Sequence, residues 1–253
     1  METQLNPLLL IKPKGITSFF AVNELKKVLP KKIKIGHCGT LDPMAEGLMI
    51  ILIGRDQTKL QSVFLNLNKK YIASITFGVT SNTYDIDINS VLSFSNNIDK
   101  IRTLSLENVK SVLTNSFKGE ILQTVPAFSA VKVSGKRLYK SAYEGKKVEL
   151  PSRKIKVYSY KILDFINNYS GQKNRIDKLP ALQVEFEVSK GTYIRSIAND
   201  LGNLVGTGAV LSGLQRTEIG KFKLKDALTI DKAKDYLKST FQTITGVGIS
   251  WSI

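Results

Sequence analysis

Cysteine and histidine are nearly absent from this chain of 253 residues, which has one Cys, Cys38, and one His, His37. A single Cys excludes an internal disulfide, and one Cys with one His cannot build a zinc site of the usual kind. No calcium-type loop takes its place, because Asp85-Ile86-Asp87 lacks the rest of that pattern, so no metal is expected. Rossmann and P-loop signatures are missing too, and no cofactor is expected. No apolar run approaches the roughly 20 residues of a membrane span. Met1 to Leu10 has no basic region ahead of its apolar residues and no small-residue cleavage site, so no signal peptide is read there. The expectation is a cytoplasmic protein with no membrane association.

Acidic residues are also scarce: 21 Asp and Glu stand against 37 Lys and Arg, a formal charge of +16 and a sequence pI near 9.8. Such an excess favours a polyanion, and the cytosolic options are nucleic acid, ribosome or an anionic membrane surface. A Lys-, Asn- and Ile-rich composition set by codon usage is the bland alternative. With 42% hydrophobic and 23% charged residues the chain is otherwise ordinary. Its length suits one large or two smaller domains.

The densest stretch is Gly36-His37-Cys38-Gly39-Thr40-Leu41-Asp42-Pro43-Met44-Ala45-Glu46-Gly47, followed by the apolar run Leu48 to Ile53. Three glycines and a proline surround one Asp and the lone His, so the backbone must turn tightly and leave room for something to approach. The apolar run is short and unbroken and reads as a strand buried on both faces. An Asp before a Pro is commonly only a turn residue. A dozen consecutive specialised positions is more than a turn requires.

This stretch resembles the G-H-x-G-T-L-D-P-x-A-x-G signature of the TruB family of tRNA pseudouridine synthases. The resemblance implies that Asp42 is the catalytic nucleophile and that His37 helps hold the RNA where the target base leaves its stack. Gly54-Arg55-Asp56-Gln57-Thr58-Lys59 is similar to the family's Gly-x-x-Thr-Lys segment with one residue more between Gly and Thr, with Gln57 where Ala is usual, and ends at Lys59. Tyr71 falls on the Tyr that stacks on the flipped base; on pattern alone a Tyr opening a strand is more often packing. Thr83 and Asp85 are retained from the family's Thr-Asp-Thr-x-Asp block, in which Asp85 pairs with a conserved Arg. Ser189-Lys190-Gly191-Thr192-Tyr193-Ile194-Arg195 matches the second strong signature. There Tyr193 lies beneath the uracil and Arg195 orients the catalytic carboxylate, a task suited to a planar fork donor. Gly206 to Thr217 is similar to a third family block, in which Leu214 falls on the apolar residue that closes the pocket over the base and Val210 stands where the family commonly has His.

Taken in order, Leu8 to Ile11 reads as a strand and Thr17 or Ser18 caps a helix reaching about Leu29. Lys31, Lys32 and Lys34 bring positive charge ahead of the motif. A short helix is expected over Gln57 to Leu65, and a half-buried strand carries Tyr71, Ala73, Ile75 and Phe77. Ser90 to Arg102 reads as an exposed loop, and Ser105 caps a helix through Phe117 that ends near Gly119. Pro126 and Gly135 bracket a strand or hairpin. Lys132, Lys136, Arg137, Lys140 and Lys146 then form either a phosphate-binding face or a solvated basic helix. A strand follows over Ile155 to Ile162, then a polar loop over Asn167 to Lys178. Leu182, Val184, Phe186 and Val188 alternate with polar residues as a strand, and Ile194, Ile197, Ala198, Leu201 and Leu204 share one helix face. Asp226 to Leu237 reads as the last helix.

The resemblance implies a pseudouridine synthase fold: an α+β arrangement with a mixed, mostly antiparallel sheet flanked by helices and a central RNA-binding cleft. The catalytic domain is expected at 1–220 and a short C-terminal extension at 221–253, too few residues for the full PUA-like domain of many bacterial members, which is expected to be lacking or vestigial. The resemblance also implies an isomerase acting on uridine-55 in the T loop of tRNA, without cofactor or obligate protein partner. Two rivals are a guide-dependent rRNA synthase of the same superfamily and a catalytically idle RNA-folding chaperone.

Overall fold

The computed structural model describes residues 6–88, 90–133, 135–146, 148–169 and 175–246, the last five of these by their backbone alone. Ser134 and Lys147 of the basic segment, residues 170–174 of the expected polar loop and the tail beyond 246 lie outside the described residues. The first elements are β1 (Leu8–Lys12), α1 (Ser18–Lys26), β2 (Ile35–Cys38), β3 (Glu46–Ile53), α2 (Arg55–Lys59) and α3 (Gln61–Asn66). The middle of the chain forms β4 (Lys69–Phe77), β5 (Val79–Ser81), β6 (Leu92–Phe94), α4 (Ile98–Arg102), α5 (Leu106–Ser116) and β7 (Gly119–Thr124). It continues as β8 (Lys132–Val133), β9 (Lys136–Arg137), α6 (Leu138–Tyr143), β10 (Ser152–Ile166) and β11 (Ala181–Val188). Last come α7 (Ile194–Val205), β12 (Ala209–Ile219), β13 (Phe222–Lys223) and α8 (Ile230–Gly246). Contacts divide the chain into two compact units, 1–70 with 215–253, and 71–214, the boundaries falling inside β4 and β12.

The first unit is built on β3. Leu48 to Leu52 are at most 1% exposed, and burying each such side chain contributes roughly 1.5–3 kcal/mol. Strands β1 and β2 pair antiparallel with β3, while Gln215 and Arg216 of β12 lie parallel to Glu46 and Gly47. Thr17 caps α1 by accepting from the Phe20 N–H at 3.0 Å, a contact worth about 1 kcal/mol. Ala21, Val22 and Leu25 of α1 are buried. The chain past 220 is part of this core. Phe222 and Leu224 pack on the cluster of Cys38, Leu48, Ile50, Leu52 and Ile219, Leu228 bridges to Leu10, and Lys234 reaches Glu24 at 3.2 Å. The last helix starts at Ile230, later than expected, after a 3-10 turn at Leu224–Asp226. The single helix expected over 57–65 is two, α2 and α3, because the Leu60 N–H bonds to the Gln57 carbonyl in a tighter turn.

In the second unit the strands are neighbours in the order β12, β4, β11, β10, β7, and β10 is antiparallel to both β11 and β7. Ala73, Ile75 and Phe77 of β4 are fully buried, as are Val184, Phe186 and Val188 of β11. The alternation in both segments puts these side chains on one face. Ser90 to Arg102 is not a plain loop: it forms β6, paired with β5, and α4, capped by Asn97 accepting from the Lys100 N–H. Ile101 of this stretch is 1% exposed and packs with Val79, Leu179 and Val210, so Val210 replaces the family's His with core packing. The Pro126–Gly135 region yields the two-residue ladder of β8 and β9. Helix α7 buries Ile194, Ile197, Ala198 and Leu201, but Leu204 is 56% exposed, one turn on, where the chain leaves the helix at Gly206. Mixed, mostly antiparallel strands with flanking helices make this an α+β fold.

Candidate active site

In the first unit β2 delivers His37, and the chain then bends through Gly39 to Ala45 before entering β3. Asp42 sits half-buried on this bend. The bend is tied down on both sides of it. The Ser18 hydroxyl donates to the Leu41 carbonyl and accepts from the Leu41 N–H, each at 2.9 Å. The Pro43 carbonyl accepts from the Gly15 N–H at 2.8 Å and from Lys12 Nζ at 3.3 Å. Lys12 is fully buried, with its ammonium also donating to the Pro13 and Ile16 carbonyls. Arg216, 1% exposed, donates through Nη2 to the Gly39 carbonyl at 2.9 Å and through Nε to the Leu48 carbonyl at 2.7 Å. Charge-assisted bonds of this kind are each worth about 1.5–3 kcal/mol, and losing one leaves a buried group unpaired. The result is a carboxylate on a rigid, pre-shaped turn.

His37 Nε2 shares a hydrogen bond with the Thr40 hydroxyl at 3.2 Å, and the His37 carbonyl accepts from Gln61 Nε2. Burial, and then the nearby Arg216 cation, hold the imidazole below its ordinary pKa, so it is neutral at neutral pH. Cys38 next to it is buried, and its thiol is pushed up to about 11 by that burial. Lys59 ends α2 in solvent, paired with Asp56 at 3.1 Å, and no bond links it to the bend among the described residues. Gln57, the departure from the family's Ala, accepts from the Ile53 N–H at 2.9 Å and so closes the end of β3.

The second unit gathers Asp85, Tyr193 and Arg195. Arg195 is 4% exposed and donates through Nη1 to the Thr83 carbonyl at 3.2 Å and through Nη2 to the Phe128 carbonyl at 3.0 Å. Thr83 in turn donates its hydroxyl to Asp85 Oδ1 at 2.6 Å, and the Ser90 hydroxyl reaches the same oxygen at 3.2 Å. The Tyr193 ring lies 5.4 Å from the Arg195 guanidinium carbon and 5.2 Å from that of Arg153. Its backbone is clamped by Gln123, which accepts from its N–H at 2.8 Å and donates to its carbonyl at 3.0 Å. Between Thr83 and Asp85, Tyr84 holds φ at +67°, the left-handed region an L side chain enters at a cost. Tyr71, 8% exposed, begins this unit's part of β4, and Leu214 is half-buried on the neighbouring β12.

The structure thus groups His37 with Asp42, and Asp85 with Tyr193 and Arg195; Tyr71 and Leu214 share adjacent strands. Sequence reasoning missed Lys12, Ser18, Gln123 and Arg216 as supports. Ser18 was visible as a helix cap and, with Lys12, as part of an opening similar to the family's Lys-Pro-x-Gly-x-Thr-Ser, with no supporting role attached, and nothing in its own neighbourhood marks Arg216 as buried. Among the described residues no group of three or more His, Cys, Asp and Glu could hold a metal ion. Within the first unit a fixed carboxylate beside a neutral imidazole can act by nucleophilic or proton-transfer chemistry, and within the second an aromatic ring flanked by cations can stack on a base.

Residues 26–194 match the family model described as TruB family pseudouridylate synthase, N-terminal domain. A protein of Protochlamydia amoebophila called tRNA pseudouridine synthase B is 45% identical over 221 residues, spanning 87% of this chain and 76% of its own length. Proteins of the same name from Endomicrobium trichonymphae and Francisella tularensis are 40% and 39% identical, with 87% and 68% of their lengths covered. Among solved structures, a Cbf5-Nop10-Gar1 complex contains a chain that superposes with a TM-score of 0.63 at 27% identity, over 98% of this chain and 57% of that one. An H/ACA RNP bound to a substrate RNA containing 2'-deoxyuridine shares the fold, with a TM-score of 0.62 at 24% identity and 56% of its chain covered. The Asp42 bend and most of the Arg195 segment fall inside the matched residues, and on that match this chain belongs to the TruB family of pseudouridylate synthases.

Proposed function

We infer that the chain is a tRNA pseudouridine synthase, an isomerase that converts uridine-55 of the T loop to pseudouridine with Asp42 as the participating nucleophile. The observation that carries this is the bend itself: an Asp held through hydrogen bonds to Leu41 on one side and Pro43 on the other, within the family's signature. The reaction breaks the bond from ribose C1' to uracil N1 and makes one from C1' to C5. C5 loses a proton and N1 gains one, so no electrons or atoms are exchanged with a cofactor. The uridine must leave its stack to be reached. His37 is assigned to holding the RNA open, Tyr71 and Tyr193 to stacking on the extruded base, and Leu214 to covering it. Arg195 is assigned to orienting the carboxylate, Asp85 to supporting Arg195 through their common partner Thr83, and Lys59 to the RNA backbone. Exposed Lys132, Lys136, Arg137, Lys140 and Lys146 supply phosphate contacts, so affinity falls steeply with salt. The enzyme works in the cytoplasm and needs no obligate protein partner.

The test uses the purified chain alone with an unmodified tRNA transcript carrying 5-tritiated uridine, since forming the C1'–C5 bond releases the label. Wild type releases it from one site per tRNA. Asp42→Asn slows release on the order of a thousand-fold or more while binding tRNA within a few-fold of wild type. Undiminished release by Asp42→Asn removes the nucleophile assignment.

A further inference from the structure

Two aromatic side chains face solvent directly beside the catalytic bend and take no part in its bonding. Phe19 is 70% and Phe20 50% exposed in the first turn of α1. Single exposed apolar residues are ordinary on a protein surface; two consecutive phenylalanines at this place are not explained by packing. The turn that carries them is bonded to one flank of Asp42 through Ser18 to Leu41, and the segment just before it to the other through Gly15 to Pro43. Ser18 immediately precedes Phe19. Counting Cα steps of 3.8 Å and one side-chain hydrogen bond, the Phe19 backbone lies within about 15 Å of that of Asp42. Stacked nucleotides repeat at about 3.4 Å along a strand, so that distance is a few nucleotides.

Charge selects the occupant. Between residues 12 and 34 the chain has seven lysines and one acid, Glu24, and Glu24 is already paired with Lys27 and Lys234. Lys14, Lys31, Lys32 and Lys34 are exposed. An exposed aromatic pair inside a field of cations suits a strand with π-faces and phosphates, and disfavours an apolar protein surface, which would have to bury the ammonium groups. The pair also precedes the residues matched by the family model, 26–194.

We propose that Phe19 and Phe20 form a stacking platform for an unpaired nucleotide of the substrate RNA, a few positions from the isomerised uridine. This rests on the tRNA-modifying activity inferred above and adds a contact outside the base pocket. The platform acts in binding and not in chemistry, so its loss raises KM and leaves kcat intact.

The experiment compares wild type with Phe19→Ala/Phe20→Ala, Phe19→Leu/Phe20→Leu and Phe19→Trp/Phe20→Trp. Each is checked for an unchanged melting midpoint, with tritium release and the Kd for an unmodified tRNA transcript read at several salt concentrations. Stacking predicts that the Ala and Leu pairs lose roughly five-fold to a hundred-fold in affinity, at the value of one stacked base. The Trp pair retains wild-type affinity, kcat is unchanged throughout, and the slope of log Kd against log salt stays that of wild type. Wild-type affinity in the Ala pair overturns the platform, as does an undiminished Leu pair, since Leu preserves apolar area without a π-face. Self-association of wild type that the Ala pair abolishes also overturns it, because a second copy then occupies the surface. Failure of the activity itself is read separately, as absence of tritium release by wild type.

Discussion

The signature stretch contains three glycines, Gly36, Gly39 and Gly47, and replacing each by Ala should have a different consequence. Gly47 is the severe case. Its φ is +114°, and a Cβ there would lie 2.4 Å from the Arg216 carbonyl oxygen and 2.7 Å from the Arg216 nitrogen. Ordinary non-bonded contacts are about 3.5–4.0 Å, so β3 and β12 would have to part by on the order of an ångström where Gly47 and Arg216 are register partners. Left-handed strain of about 1–2 kcal/mol adds to an overpacking cost of about 1–3 kcal/mol. The sum, roughly 2–5 kcal/mol, lowers the melting midpoint by roughly 5–20 °C at 2–4 °C per kcal/mol for a chain of this size. Gly39 has φ +78° and meets only Arg216 Nη1, at 3.4 Å, so only the strain remains and the drop is roughly 2–8 °C. A Cβ at Gly36 would meet no atom within 4 Å, and its φ is not left-handed. The Gly36→Ala variant therefore stays within about 0.5 kcal/mol of wild type. Thermal unfolding followed by circular dichroism gives the three midpoints. Gly47→Ala also displaces Arg216, whose guanidinium holds Gly39 and Leu48, so tritium release falls in the fraction that remains folded. A Gly47→Ala midpoint within about 2 °C of wild type, or Gly36→Ala as costly as Gly47→Ala, would refute this account of the stretch.

Because burial holds the His37 imidazole below its ordinary value of 6.5, the unfolded chain takes up this proton at a higher pH than the folded one. Stability is therefore full above about 6.5, declines as pH falls below it and levels once the folded-state imidazole is also protonated. His37→Gln removes that segment from the stability–pH curve measured by urea unfolding. The Cys38 thiol, pushed up to about 11 and buried, should resist iodoacetamide at about pH 8 in the native protein and react fully in denaturant. Tyr84→Gly relieves the left-handed strain by about 1 kcal/mol but removes a half-buried ring. Tyr84→Asn, which tolerates that conformation and keeps a Cβ, should therefore melt above Tyr84→Val, where a β-branched side chain is forced into it.

Several elements were legible from local chemistry. Thr17 and Ser105 act as helix caps, the latter in a capping box with Asn108. The period-two runs in β4 and β11 set the buried faces seen in the fold. Ser90 to Arg102 was not legible, because a short strand and a one-turn helix anchored by a single fully buried Ile101 leave too little periodicity among polar residues. Leu60 likewise interrupts a run whose composition suits one continuous helix. In the site, Asp42 stood out because specialised residues crowd it. Its supports did not, since Ser18 and Arg216 meet the bend across 23 and 177 positions for the bonds to Leu41 and Gly39. Charge usually marks solvent exposure; Lys12 and Arg216 are buried because backbone carbonyls receive their donors, a pairing only the fold reveals.

Val210 fills an apolar cluster at the position where the family resemblance leads one to expect a His, and the chain has a single imidazole. Its proton magnetic resonance spectrum accordingly has one ring C2–H signal, and that signal originates at the end of β2, beside the Asp42 bend. Titrating RNA into unlabelled protein would shift or broaden a line needing no assignment. With His37 holding the RNA as proposed, the wild-type enzyme carries an intrinsic single-site reporter of substrate arrival, independent of turnover and free of any attached dye.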